Sequence, residues 1–322
     1  MSQIEKALIP ISIIICTYNR ASYLKLTLKS LTAQTLDKQD YEIVVIDDGS
    51  SDNTREIVGE FSNRLPIKYF YQENAGLASS KNHGIYAAQG RILLFLDDDD
   101  IATPTLLEEH LKTHYQYPDD FYAVLNYTTW SPNLNVTPLM HFITEVGCFL
   151  FSYPYIKHGN ILDYTNFWGG RSSCKRSFLI NHGVFNQIFR FGCEDIELGY
   201  RLSKHDLKVV YNAKAISMMI RPITFDDFCK RLIKQGRSQY VFSQLSNDPE
   251  VDRYTEVPEI EEKWLEMETL YEARIHSARE LDKIVNLRIT YGFEIDDLTK
   301  RLLHKAYWWA FRACKIKGMI EG

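Results

Sequence analysis

Several features are scarce or missing in this sequence, and each gap removes a class of protein. Six cysteines (16, 148, 174, 193, 229 and 314) are spread through 322 residues, and no two have Cys-x-x-Cys spacing. Neither a zinc site nor a disulfide framework is expected, and a reducing compartment fits best. No apolar run approaches the roughly 20 residues that span a bilayer. The start holds Glu5 and Lys6, then a short apolar run from Ala7 to Cys16 broken by Pro10. Without a basic leader or a small-residue cleavage pattern no signal peptide is expected. The expected location is cytoplasmic, extending to the inner face of the plasma membrane. In that setting Asn126-Tyr127-Thr128 and Asn135-Val136-Thr137 read as chance matches to the glycosylation pattern. The net charge of −5 offers no general attraction to nucleic acid. No G-x-G-x-x-G follows the first strand, which argues against hydride-transfer dinucleotide folds. Repeats and low-complexity segments are absent.

What is present is ordinary globular material, 45% hydrophobic and 25% charged. The length suits one large α/β domain with an appendage, or two domains. Residues 11–16 (ISIIIC), 42–47 (EIVVID), 67–71 (IKYFY) and 92–96 (ILLFL) read as buried strands. Leu24, Leu28 and Leu31 repeat at helical spacing after the first. A helix capped near Asp52 follows the second, and Leu77 to Gln89, ended by Gly90, follows the third. Alternation of this kind predicts a parallel sheet covered on both faces. Ligands bind such sheets beyond the carboxyl ends of the strands. Those ends carry Thr17-Tyr18-Asn19, Asp47-Asp48 and Asp97 to Asp100.

Further on, Thr103-Pro104 opens a helix, Glu194 to His205 reads as a helix and 207–211 as a strand. From Thr224 the pattern is helical. Trp264, Met267, Tyr271, Ile275, Ala278, Leu281 and Val285 form one continuous stripe, Gly292 interrupts it, and a last helix starts near Asp296.

Four aspartates at the end of a core strand repel one another and are costly to bury unpaired. A solvated acidic loop is the plainest reading. A calcium loop counted from Asp97 has Glu108 at its twelfth position, but Ala102 stands where the sharp turn needs glycine. An aspartyl phosphatase would place such a motif after its first strand, with Thr or Val where Ile101 stands. The remaining reading is Mn²⁺ or Mg²⁺ holding a nucleotide diphosphate, since these hard ions take one or two carboxylates plus phosphates. Asp48 could accept the N3–H of uracil, and Tyr18 offers a ring for a base.

The segments ISIIICTYNRASYLKLTLKSLTAQT, EIVVIDDGSSDNT, ENAGLASSKNHGIYAAQGRILLFLDDDD and FGCEDIELGYRL resemble the successive motifs of family 2 glycosyltransferases, from about Ser12 to Gly236. The resemblance implies a Rossmann-like, mostly parallel sheet flanked by helices, the A-type glycosyltransferase fold. It implies an inverting, metal-dependent transfer of a sugar from a nucleotide donor, UDP-linked for preference. The acceptor implied is a saccharide or lipid-linked molecule, in surface polysaccharide or glycan assembly. By position it places Tyr18, Asn19, Asp48, Gly76, Lys81, Asp97 and Asp98 with the donor, and Asp99 on the metal. Asp100 orients the loop or caps the Thr103 helix. Trp168, Gly169 and Glu194 meet acceptor or donor sugar, and Asp195 is the base. Two departures stand out. Lys81-Asn82 replaces the usual Arg-Asn. Met218 and Met219 fall where many relatives have a metal-contacting His, and Arg221 is assigned to the diphosphate. A catalytically silent nucleotide-sugar binder is the alternative this leaves.

The expected division is a catalytic domain over 1–245, with a nucleotide half over about 8–118 and an acceptor half over 119–245, and a helical extension over 246–322. Within the extension, Leu302, Ala306, Trp309, Ala313 and Ile316 form a stripe beside Arg301, Lys305, Arg312 and Lys315. Two readings stay open: a helix resting on an anionic membrane through 296–318, or one packed on its own domain or in a homodimer.

Overall fold

A computed structural model describes residues 9–322. In chain order the elements are β1 (Ile11–Thr17), α1 (Ala21–Leu31), β2 (Tyr41–Asp47), α2 (Thr54–Phe61), β3 (Ile67–Tyr71), α3 (Leu77–Ala87), β4 (Ile92–Phe95), β5 (Asp100–Ala102), α4 (Leu106–Gln116) and β6 (Tyr122–Trp130). Then come α5 (Pro138–His141), β7 (Ile161–Leu162), β8 (Ser172–Lys175), α6 (Arg176–His182), α7 (Glu194–Ser203) and β9 (Lys208–Met219). Five helices close the chain: α8 (Phe225–Gln244), α9 (Pro249–Thr255), α10 (Ile260–Met267), α11 (Tyr271–Thr290) and α12 (Asp297–Ile320).

These elements form two compact units. The first comprises the described residues up to Leu134, with Ile156–Arg190 and Glu194–Arg221; the second comprises Asn135–Tyr155, Phe191–Cys193 and Pro222–Gly322. Their limits do not follow the sequence boundaries near 118 and 245. The physical reason is aromatic: Phe142 and Phe149 pack on Phe311, with ring centroids 6.2 and 5.5 Å away. A segment near residue 145 thereby joins a helix more than 150 positions later.

The first unit is built on one sheet of nine strands, ordered β3-β2-β1-β4-β8-β6-β9-β5, with β7 on β9. As the alternation predicts, β1 pairs in parallel with β2 and β4, and β2 with β3. β8 runs antiparallel to both β4 and β6, so β6 and its parallel neighbour β9 again point the way β4 does. The carboxyl ends of β1, β2, β4, β6 and β9 therefore lie on one edge. β1 and β2 are buried almost throughout, as expected of strands covered on both faces. Leu24, Leu28 and Leu31 of α1 pack in the core beneath, with Ile57 and Phe61 of α2. β9 is longer than 207–211 suggested, because a bulge at Asn126–Tyr127 lets the pairing continue to Met219.

The second unit is helical. Its centre is an aromatic cluster of Phe142, Phe225, Phe228, Tyr307 and Phe311, with Phe228 edge-on to Phe311 at 4.8 Å. Tyr307 also donates its hydroxyl to Asp282. The continuous stripe expected from Trp264 to Val285 is broken by a tighter turn at Glu268–Leu270. Tyr271, Ile275, Ala278 and Val285 are buried. The stripe expected on α12 is rotated: Leu303, Tyr307, Ala310, Phe311 and Cys314 face the core, with Ala313 and Ile316 buried as well, while Leu302 is exposed. This is the packed-helix alternative for most of α12.

α8 and α12 touch backbone to backbone. A Cβ on Gly318 would lie 2.0 Å from the Ile233 carbonyl oxygen, and one on Gly236 would lie 2.1 Å from that of Lys315. Alanine ordinarily favours a helix over glycine. Here overpacking should reverse the sign, and Gly318→Ala is expected to destabilise by about 1–3 kcal/mol, read as a lowered urea midpoint.

Candidate functional site

The shared strand edge gathers the polar clusters. Beyond β1, Tyr18 is half exposed, with no neighbour covering its ring face in the described contacts. Asn19 sits in the left-handed region at φ 52°, where asparagine is tolerated. Its carboxamide oxygen accepts from Ser51 N at 2.8 Å, and its own N–H donates to Ser50 Oγ at 2.9 Å. Asn19 thus ties the β1 loop to the turn after β2. Asp48 organises that turn: its carboxylate accepts from Gln72 Nε2 at 2.7 Å, Ala75 N at 3.0 Å and Gly76 N at 2.9 Å. Gly76 adopts φ 90°, which suits glycine.

Three of the four aspartates after β4 are buried, and Asp97 is partly exposed. Asp98 is buried, and Arg20 Nη1 reaches it at 2.9 Å. Burial lifts its carboxyl to about 6, with Arg20 holding it down. Asp99 accepts from Arg221 Nε at 2.7 Å, and Arg20 stands 3.5 Å away. Asp97 accepts from Arg171 Nη1 at 2.8 Å. Asp100 is fully buried, takes a bond from Ser217 Oγ at 3.0 Å and faces Arg171 Nη2 at 3.4 Å. Burial pushes it up as well, to about 7. It opens β5 and orients the loop; it does not cap α4, which starts only at Leu106. Three guanidinium groups, from three separate segments, answer the repulsion of four acids.

A second cluster lies under the first. Asp195 accepts from Gly169 N and Ile196 N, both at 2.9 Å. Burial and then the Glu194 charge raise its carboxyl to about 6. Glu194 is buried, with Lys81 Nζ donating to Oε1 at 2.9 Å, and Oε2 is buried without a partner. Lys81, expected beside the donor, is itself buried in this pair, with its ammonium over the Phe185 ring at 5.0 Å. Asn82 is engaged by Phe185 in a reciprocal amide pair, at 2.8 and 2.9 Å.

The segment Trp168 to Arg171 joins the two clusters. Trp168 Nε1 donates to Thr165 O at 2.8 Å. A Cβ on Gly170 would fall 2.2 Å from Asp97 Oδ1, and one on Gly169 would fall 2.6 Å from Lys81 Nζ. Only glycines let this backbone pass between the acids. The sequence reading missed Arg20 and Arg171. Their signal was present: an arginine closes each of the stretches TYNR, WGGR and MMIR, and three cations beside four acids were there to be matched.

For a divalent cation the donor set is thin. Among the described residues no three His, Cys, Asp or Glu side chains converge as a metal cluster. Met218 and Met219 pair with Ile101 and Asp100, and thioether sulfur is a poor partner for a hard ion. Asp99, however, directs both guanidinium contacts to Oδ2. Oδ1 stays open to an ion that completes its shell with phosphate and water, the habit of Mg²⁺.

A twisted α/β sheet whose strand ends collect acids and arginines defines a class, and comparison with solved structures narrows it. The chain superposes on S. aureus TarS 1-349 in complex with UDP with a TM-score of 0.56 at 17% identity, covering 97% of this chain and 91% of that one. It matches a Pyrobaculum calidifontis mannosyltransferase in complex with GDP-Man and Mn²⁺ with a TM-score of 0.58 at 15% identity, covering 95% and 86%. The fold is the A-type glycosyltransferase fold, the expected mostly parallel sheet with flanking helices and a helical C-terminal region. Residues 12–183 match the model of glycosyl transferase family 2, and the chain belongs to that family. A validoxylamine A glucosyltransferase of Streptomyces hygroscopicus is 32% identical over 232 residues, which is 64% of this chain and 54% of that protein. The chain spans about half the length of the curated relatives it first matches.

Gly170→Ala tests the joint between the clusters. It is expected to displace Asp97 and, by overpacking, to lower the melting temperature by a few degrees, read by thermal unfolding.

Proposed function

We propose that the chain transfers a sugar from a nucleotide donor, UDP-linked, to a saccharide or lipid-linked acceptor, with inversion at the anomeric carbon. The observation that carries this reading is the convergence of the Asp97–Asp100 loop and the Glu194–Asp195 pair on one strand edge, joined through Gly169 and Gly170. Family membership, and relatives described as glycosyltransferases, support it. The UDP and GDP-Man complexes of the structural neighbours support a nucleotide-sugar donor.

Tyr18 stacks on the base and Asp48 holds the turn that meets it, with its remaining lone pair for the uracil N3–H. Asp97 takes a sugar or ribose hydroxyl. Arg221 and Arg20, already aimed at the acidic loop, supply positive charge to the diphosphate. When bound, Mn²⁺ or Mg²⁺ on Asp99 supplies Lewis acidity toward the leaving diphosphate. Asp195 accepts the proton of the attacking acceptor hydroxyl; one in-line displacement needs a single base. Gly169 N and Ile196 N hold its carboxylate in place. Trp168 flanks the acceptor, and Glu194, fixed by Lys81, keeps Oε2 for a sugar hydroxyl. Asp98 acts behind the loop, as the partner of Arg20.

A raised base sets the pH dependence. Asp195 must be ionised to accept a proton, so activity is absent well below its carboxyl value of about 6, rises through it and levels above. Lys81 lowers that value, so Lys81→Met is expected to move the acidic limb of kcat upward in pH. A limb that stays in place would remove Asp195, or its coupling to Lys81, from the mechanism.

Asp195→Asn is expected to lose about 10²–10⁴-fold in UDP-sugar hydrolysis or transfer with Mn²⁺, while a UDP thermal shift survives. If the unaltered protein binds UDP but neither hydrolyses nor transfers the sugar, the silent binder is correct. Phosphate release from simple monoesters would favour the phosphatase.

A further inference from the structure

The helical unit exposes apolar side chains where its packing does not need them. On α11, Ile284 and Leu287, with Tyr291 just past its end, recur on the side opposite the buried Tyr271, Ile275, Ala278 and Val285. On α12, Leu298 and Leu302 lie opposite the buried Leu303, Tyr307, Ala310 and Phe311. The turn between the helices is Tyr291-Gly292-Phe293, where Tyr291 is 72% and Phe293 61% exposed. Single exposed apolar residues are unremarkable, but a contiguous set marks an interaction surface.

Charge says what would cover it. Residues 280–305 hold five Lys or Arg and five Asp or Glu, but the pairing is local: Lys283 meets Glu280 at 2.7 Å, Lys300 lies 3.7 Å from Asp297, and Asp296 caps α12 through Thr299 N at 2.9 Å. Arg301 and Lys305 are exposed beside Leu298 and Leu302 and make no ion pair among the described contacts. A two-fold contact between copies would face these cations with their own symmetry mates, because such an interface uses one patch twice. An anionic bilayer accepts them. It also accepts aromatic rings at the headgroup level, and an apolar face edged with basic residues binds in that plane. No described helix is long and apolar enough to cross a membrane.

We infer that the α11–α12 hairpin docks on an anionic lipid surface, with Tyr291, Phe293, Leu298 and Leu302 entering the interface and Arg301 and Lys305 meeting the headgroups. The contact keeps Leu302, Arg301 and Lys305 of the 296–318 sequence reading but not its stripe beyond them, where Ala313 and Ile316 are buried; Tyr291, Phe293 and Leu298 take their place. It uses no residue of the strand-end site, so it stands or falls separately from the proposed transfer.

The test is flotation of the full chain with vesicles of phosphatidylcholine alone or mixed with phosphatidylglycerol. The chain should float with the anionic vesicles, less so in high salt. Phe293→Ser with Leu298→Ser should weaken binding about tenfold or more, and Arg301→Gln with Lys305→Gln should remove the preference for anionic lipid. Both variants should keep the melting temperature and the UDP thermal shift of the parent, which shows that they fold. Equal flotation of parent and serine variant would overturn the inference. So would a parent that stays out of the lipid fraction and sediments as a dimer that the serine substitutions split.

Discussion

The structure turns on the neutralisation of four adjacent aspartates by three arginines. Buried carboxylates without partners would cost several kcal/mol each, and three of the four, Asp98, Asp99 and Asp100, are buried. Arg20 follows β1, Arg171 precedes β8 and Arg221 follows β9, so the acid loop can be seated only when three distant parts of the sheet are in register. Removing Arg20 or Arg171 would take from buried Asp98 or Asp100 its guanidinium partner, which is worse than removing the pair.

The same arrangement gives the proposed chemistry its starting state. The acids are held in fixed positions before any ligand arrives, as a site that must meet a leaving diphosphate requires. Arg20 and Arg221, the cations on Asp98 and Asp99, are those an incoming diphosphate would attract. Behind them Lys81 and Glu194 form a buried pair whose charges act on Asp195 in opposite senses, Glu194 raising its carboxyl and Lys81 lowering it. Its carboxyl is raised by burial but not pushed out of the range where it can serve as a base.

The helical unit follows a different rule. It is held by aromatic packing around Phe311, by the Tyr307–Asp282 hydrogen bond and by glycines that let α8 and α12 approach closely.

Much of this was legible in the residues. The strands from Ile11 to Leu96 could be read because parallel strands buried on both sides are continuous apolar runs, and because helical spacing separates them. Asp48, Asp97 and Asp99 could be placed at strand ends by local pattern, whereas the Glu194–Asp195 pair was singled out only by the resemblance to the family's motifs. Which charge pairs with which could not be read. Lys81 lies beside Glu194, 113 positions away, Arg171 beside Asp97, and Phe142 beside Phe311, and no periodicity encodes such contacts. Local order sets which residues sit at an edge; only the closed sheet and the packed helices decide what each one meets there, because pairing energies depend on distances that the chain acquires on folding.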